Sequence, residues 1–215
     1  VDGGALRAKV IGEGANLAMT QRARIEYALN GGRINTDAID NSAGVDTSDH
    51  EVNIKIALNK AVLDGKLDTA ARNKLLSSMT DDVADLVLRD NYMQTQALSL
   101  TEASATDLLS NHARVLRMME RGGLLNRGVE FLPDDDALAD RQRLGRGLTR
   151  PELAVLMAYA KIWLYQQLLA TDLPDDGFVS AELLHYFPPR MREKYLPYVE
   201  KHQLRREIIA TAVTN

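Results

Sequence analysis

Polar side chains that can bind a ligand are concentrated in residues 37–51, directly before an apolar helical stretch. Ser48 and Glu51 form a Ser-x-x-Glu pattern, which predicts a capping box: the Ser48 hydroxyl accepts from the N–H of Glu51 where a helix begins. Helix-start chemistry alone does not require residues 39–45 to be so rich in amide and hydroxyl groups. Because free N–H groups at a helix start attract carboxylates, the segment predicts a site for a small polar ligand.

The same segment offers four possible ligands for a divalent metal: Asp46, Asp49, His50 and Glu51. Their spacing matches neither an EF-hand loop nor the HExxH pattern of zinc helices. We therefore expect no metal site. The other histidines have no Ser or Asp partner close in sequence and are predicted to be packing or surface residues: His112, His185 and His202.

A glycine-containing loop, residues 12–16, follows a predicted short strand over residues 7–12. Ligands of open α/β sheets bind beyond the carboxyl ends of the strands, so the loop is a possible part of a nucleotide-binding crevice. It lacks the third glycine and the later acidic residue of the phosphate-binding fingerprint. On the pattern alone, a plain tight turn is the better interpretation.

Two short strands flank the first predicted helix, and helices make up the rest. Thr20 is predicted to cap a helix over residues 21–29, and a second strand follows at 33–36. Residues 39–45 are predicted to be a loop. Further helices are predicted over residues 48–64, 68–79, 80–98, 103–121, 124–132, 134–144, 150–170 and 180–186, after Pro189 and from about Leu204.

The predicted fold class is mainly α. Two isolated strands do not form a stable sheet, so the first 45 residues are interpreted as the tail of an α/β domain. The chain begins at Val1 without an initiator methionine, and the apolar pattern of residues 208–215 has no helix-stop signal. We therefore expect a piece excised from a longer protein.

The composition argues against several classes of function. The net charge is −4 and basic residues alternate with acidic ones, which gives no support to nucleic-acid binding. The absence of cysteine removes disulfides, thiol nucleophiles and cysteine-based zinc sites, and it is compatible with the cytoplasm. No apolar stretch approaches the length of a membrane span. We expect a cytoplasmic protein without nucleic-acid or membrane partners.

Two stretches together resemble glutamate dehydrogenases. Residues 9–16 with Thr20 are similar to that family's Glu-Gly-Ala-Asn motif and its following threonine, and residues 41–48 are similar to its Asn-Ala-Gly-Gly-Val-x-x-Ser motif. Ser42 and Ala43 depart from the second motif. Further stretches resemble the large bacterial NAD-dependent subclass: residues 32–45, 48–55, 88–92, 147–154 and 204–209.

The resemblance implies roles for four residues. Asn16 is expected beside the nicotinamide of NAD, and Asn41 is expected to shape the same crevice. Ser48 is expected to donate to the side-chain carboxylate of L-glutamate, and Val45 to pack against its methylene groups. No catalytic residue is expected in this fragment, because the family's catalytic lysine and aspartate lie upstream.

The resemblance also implies an organisation and an activity. Residues 1–65 are expected to be the C-terminal tail of a Rossmann-like dinucleotide-binding catalytic domain, and residues 66–215 a helical C-terminal domain. The parent protein is expected to be a homo-oligomer that converts L-glutamate to 2-oxoglutarate and ammonia with NAD, whereas the fragment alone is expected to be inactive. The alternative is a non-catalytic helical module for oligomerisation or regulation.

Overall fold

The computed structural model describes residues 2–14 and 18–215, and it confirms a mainly helical fold. The α-helices of these residues are α1 (Gln21–Leu29), α2 (Asp37–Asp40), α3 (Ser42–Leu63), α4 (Thr69–Ser78), α5 (Thr80–Ala103), α6 (Leu109–Arg121), α7 (Asp135–Arg143), α8 (Arg150–Leu169), α9 (Glu182–Tyr186), α10 (Pro189–Lys194), α11 (Leu196–Glu200) and α12 (Arg205–Thr214). Short 3₁₀ turns occur at Gly3–Ala5, Leu173–Asp175 and Val179–Ala181. Within the described ranges, no helix is both long and apolar enough to cross a membrane.

Two short parallel strands flank α1. β1 (Val10–Ile11) pairs with β2 (Arg33–Ile34), with Val10 opposite Arg33 and Ile11 opposite Ile34. The predicted limits of α1 are confirmed, because the Thr20 hydroxyl accepts from Ala23 N at 3.2 Å. The helix ends before Gly31, whose φ of +88° is a conformation that glycine adopts without strain. Both strands are shorter than predicted.

The prediction for residues 39–48 is wrong. The segment is helical rather than a loop: α2 covers Asp37–Asp40, and α3 begins at Ser42 instead of Ser48. Ser48 therefore does not cap the helix, and its hydroxyl donates to the Gly44 carbonyl at 3.2 Å. Ser and Thr side chains inside helices can donate to the carbonyl four residues earlier in this way.

Residues 124–132 are turns instead of the predicted short helix. Arg127 organises them, because its Nε donates to Glu120 Oε2 at 2.8 Å and its Nη1 donates to the Pro133 carbonyl at 3.1 Å. The backbone of Phe131 has a positive φ of 54°, which is incompatible with a right-handed helix. The side-chain bonds of Arg127 thus tie this connection to the end of α6 and to Pro133.

The chain forms two compact units, each with its own hydrophobic core. The first unit contains residues 1–42 and 93–163, and its most deeply buried core residues include Leu98, Leu109, Leu116 and Leu153. The second unit contains residues 43–92 and 164–215, and its core includes Ile54, Leu58, Met79, Phe187, Met191 and Ile209. The predicted division at residue 65 stays a prediction.

Candidate functional site

An exposed stripe with one hydroxyl group lies on the first half of α3. Val45, Ser48 and Val52 follow one another at intervals of three and four residues, which places them on one side of the helix. All three are exposed, and Val45 has 74% of its surface accessible. We call these three residues the Val45–Val52 stripe. It presents apolar side chains beside a hydrogen-bonding group.

The Ser48 hydroxyl is weakly engaged. Its bond to the Gly44 carbonyl is long, at 3.2 Å, and solvent-exposed. The Gly44 carbonyl also has the helical backbone N–H of Ser48 as a donor, so it does not depend on the side chain. The hydroxyl can therefore turn towards a ligand at small energetic cost.

Tyr186 of α9 supports the next turn of α3. Its hydroxyl donates to Asp49 Oδ2 at 2.7 Å and accepts from Asn53 Nδ2 at 2.8 Å, while its ring stacks on His50 with centroids 4.3 Å apart. Burial raises the pKa of Tyr186, and the bond to Asp49 raises it further. The phenol therefore stays protonated and keeps donating. Sequence reasoning missed this contact, because 137 residues separate Tyr186 from Asp49.

Two of the four possible metal ligands lie together. His50 Nε2 is 3.7 Å from Asp46 Oδ1, one helical turn away. Asp49 instead binds Tyr186, and Glu51 forms an exposed ion pair further along the helix. Burial lowers the pKa of His50, against the opposing effect of nearby carboxylates, so the neutral imidazole is favoured.

Glu13 anchors the glycine-containing loop after β1. Its side chain is fully buried and accepts from Arg24 Nε at 2.5 Å, from Arg24 Nη2 at 3.0 Å and from the Met19 N–H at 3.0 Å. The Glu13 N–H donates to Asp40 Oδ2 at 2.8 Å. Asn16 lies outside the described residues, and its cofactor role stays a prediction. Sequence reasoning quoted Glu13 only as part of a motif and missed its partner Arg24.

Asn41 follows Asp40, whose two carboxylate oxygens both accept hydrogen bonds. Asp40 Oδ2 accepts from the Glu13 N–H, and Asp40 Oδ1 accepts from Asn35 Nδ2 at 2.6 Å. Asn41 itself ends α2, and its N–H donates to the Asp37 carbonyl at 2.8 Å. The backbone at Asn41 is thereby fixed, and its predicted cofactor role stays a prediction.

Two protein families match separate segments of the chain. The family described as bacterial NAD-glutamate dehydrogenase, catalytic domain, matches residues 1–101. The family described as glutamate dehydrogenase, C-terminal, matches residues 145–215. Both motif stretches identified in the sequence lie within the first match.

Curated relatives align with the whole chain. The NAD-specific glutamate dehydrogenase of Pseudomonas aeruginosa is 50% identical over 215 residues, that of Mycobacterium tuberculosis is 49% identical over 217 residues, and that of Halomonas elongata is 46% identical over 215 residues. The chain resembles bacterial NAD-specific glutamate dehydrogenases along its entire length. This confirms the resemblance inferred from residues 9–20 and 41–48. Each alignment covers 100% of this chain but only 13% of the relative.

The residues around the first half of α3 fall within both glutamate dehydrogenase family matches. The Val45–Val52 stripe, Asp49 and Asn53 lie within the catalytic-domain match. Tyr186, which bonds to both of these polar residues, lies within the C-terminal match. The candidate site on α3 is therefore supported by residues from both matched segments.

Proposed function

We propose that the protein containing this chain oxidises L-glutamate to 2-oxoglutarate and ammonia with NAD as the hydride acceptor. The observation that carries the proposal is the exposed pair of Val45 and Ser48 on one side of α3, at the end of the glutamate dehydrogenase-like motif in residues 41–48. The names of the relatives support the reaction and the cofactor. The proposal includes a homo-oligomeric protein in the cytoplasm.

The proposed role of the stripe follows from the chemistry of the substrate. L-Glutamate has a side-chain carboxylate beyond two methylene groups. In the proposal, Ser48 exchanges its bond to the Gly44 carbonyl for a charge-assisted bond to that carboxylate, and Val45 packs against the methylene groups. An exposed valine beside an exposed hydroxyl suits both parts of this ligand.

For the cofactor, we propose a role for the loop after β1, which belongs to the first unit. In the proposal, residues 1–65 are the tail of a dinucleotide-binding domain, and β1, α1 and β2 are its last parallel strands with their connecting helix. Among the described residues, no atom lies within 4 Å of the position that a Cβ would take at Gly12 or Gly14. Asn16 and Asn41 would line the nicotinamide end, while Glu13 and Asp40 hold the loop. When bound, NAD accepts the hydride from the substrate.

The substitution Ser48→Ala in the whole protein tests the substrate role. Loss of a hydrogen bond to a charged group costs about 1.5–3 kcal/mol, so the KM for glutamate is expected to rise about 10- to 100-fold. Stability is expected to be unchanged or slightly higher, because Ser48 is inside α3 and alanine favours helices. Steady-state kinetics and urea unfolding measure both effects.

Thr47→Ala is the matched control. Thr47 is also exposed, and its hydroxyl donates to the Ala43 carbonyl at 2.7 Å, but the residue lies beside the stripe and not on it. The control is expected to keep the KM of the wild type. Equal kinetic constants for Ser48→Ala and the wild type would show that Ser48 does not bind substrate.

A further inference from the structure

A buried histidine and two carboxylates converge in the second unit. Asp46 and His50 lie one turn apart on α3, and Asp90 reaches them from α5. One potential ligand atom from each residue lies within 4.8 Å of the other two. Both aspartates are partly accessible, so an ion can reach the cluster from solvent.

The buried imidazole of His50 lacks a hydrogen-bond partner among the described residues. Its exposed fraction is 1%, yet neither Nδ1 nor Nε2 has a hydrogen-bond partner among the described residues. The separation of 3.7 Å from Asp46 Oδ1 is too long for a hydrogen bond. A buried polar group without a partner is destabilising, so such groups in native proteins generally have a bound partner.

One face of the His50 ring is packed against an aromatic side chain. It stacks on Tyr186, whose hydroxyl bonds to Asp49 and Asn53. These bonds hold the Tyr186 ring in place, and the stacked phenol restricts the plane of the imidazole.

We propose that Asp46, His50 and Asp90 bind one divalent transition-metal ion of the Zn²⁺ type. An imidazole nitrogen with two carboxylate oxygens suits Zn²⁺, Mn²⁺ or Co²⁺, whereas Mg²⁺ and Ca²⁺ prefer oxygen ligands alone. Ligands about 2.1 Å from a tetrahedral ion are about 3.4 Å apart, so the distance between Asp46 and His50 needs little adjustment.

The charges around the cluster are compatible with a cation. Arg89 donates to Asp90 Oδ1 at 3.1 Å, and a carboxylate that accepts one such bond still has a second oxygen for a metal. Asp49 adds a further negative charge beside His50. Three protein ligands leave at least one coordination position for water, as in exchangeable zinc sites.

The test is calorimetric titration of the chelator-treated whole protein with Zn²⁺. The wild type is expected to bind one equivalent of Zn²⁺ per chain. The Asp90→Asn variant is expected to bind Zn²⁺ at this site with an affinity at least about 100-fold lower than that of the wild type. Asp46→Asn is expected to give the same loss. Glu51→Gln is the matched control, because it removes the same charge from an exposed residue of α3 that pairs with Lys55, and it is expected to keep the site.

A second measurement does not depend on how the variants fold. Anomalous diffraction at the zinc edge from Zn²⁺-soaked wild-type crystals is expected to show a peak within bonding distance of His50 and both aspartates. Equal binding by the wild type and a folded Asp90→Asn variant would overturn the proposal, and so would a crystal without this peak. Mg²⁺ is expected not to displace the zinc.

Discussion

At the scale of single residues, hydroxyl and carboxylate groups are the hardest to interpret from sequence. Ser48 was predicted to lie beside a ligand, but its position inside α3 was not predicted, because the same Ser-x-x-Glu spacing occurs at helix starts and in helix interiors. Glu13 has a different difficulty. Nothing in its local sequence indicates burial, which depends on Arg24 reaching it from α1.

The buried pair of Glu13 and Arg24 leads to a prediction at this scale. Glu13→Gln leaves the Arg24 charge buried, with the Asp37 carboxylate 3.3 Å away and a hydrogen bond of 3.3 Å to the neutral Gln21 side chain. Breaking one side of a buried ion pair costs about 3–5 kcal/mol, and we expect about 3 kcal/mol of lost unfolding free energy because Asp37 remains. Urea unfolding measures the loss.

Glu26→Gln provides the comparison for Glu13→Gln. Glu26 lies on α1 in an exposed position, so its substitution removes the same charge without breaking a buried pair. Its effect is expected to stay within about 0.5 kcal/mol. Similar losses for both variants would contradict the importance assigned to the buried pair.

At the scale of elements, boundaries were predictable where the chain carries its own stop and start signals. Thr20 and Gly31 set the limits of α1, while Asp68 and Asp134 cap α4 and α7 by accepting backbone N–H groups, so these helices were predicted to within a residue or two. The turns at residues 124–132 were not predicted, because no local signal indicates the positive φ of Phe131 or the bonds of Arg127 to Glu120 and Pro133.

His202 joins two elements and makes their stability depend on pH. Its Nε2 donates to the Asn53 carbonyl of α3 at 3.1 Å, while Nδ1 accepts from the Leu204 N–H at the start of α12, so the folded ring is neutral. Burial lowers the pKa of His202, although Glu207 opposes the shift. The unfolded chain binds a proton near the ordinary pKa of about 6.5 while the folded chain does not. Stability is therefore full above that pH and falls below it.

Urea unfolding at neutral and mildly acidic pH checks this dependence. The wild type is expected to lose stability as the pH falls below about 6.5, and His202→Gln is expected to lose less over the same interval. Some dependence should persist in the variant, since burial also lowers the pKa of His112. An identical pH dependence in the variant and the wild type would assign the effect to other groups.

At the scale of the whole molecule, contacts between distant parts of the chain were not predictable. His50 and Asp90 belong to different helices far apart in sequence, and no periodicity within α3 or α5 indicates that they meet. The mainly helical class and the family resemblance were predictable, because they depend on composition and on motifs that are continuous in sequence. A site assembled from α3, α5 and α9 requires the packed structure.

The proposed location of the catalytic residues outside this chain gives a prediction at this scale. The chain spans 13% of the length of its relatives, and the residues that match the family motifs include none for acid–base catalysis. The 215-residue chain alone is therefore expected to show no NAD reduction with glutamate above background, as monitored by the absorbance of the reduced cofactor. Measurable turnover by this chain would require catalytic residues within it.

The contacts of Tyr186 affect where the chain can be cut into shorter pieces. The Tyr186 hydroxyl bonds to Asp49 and Asn53, and its neighbour Phe187 belongs to the same core as the apolar side of α3. Both aromatic residues lie in the C-terminal family match, whereas α3 lies in the catalytic one. In a piece that ends at residue 101, the apolar side of α3 would be exposed to solvent, and the piece would tend to aggregate. Sequence families and folding units are thus divided at different places in this chain.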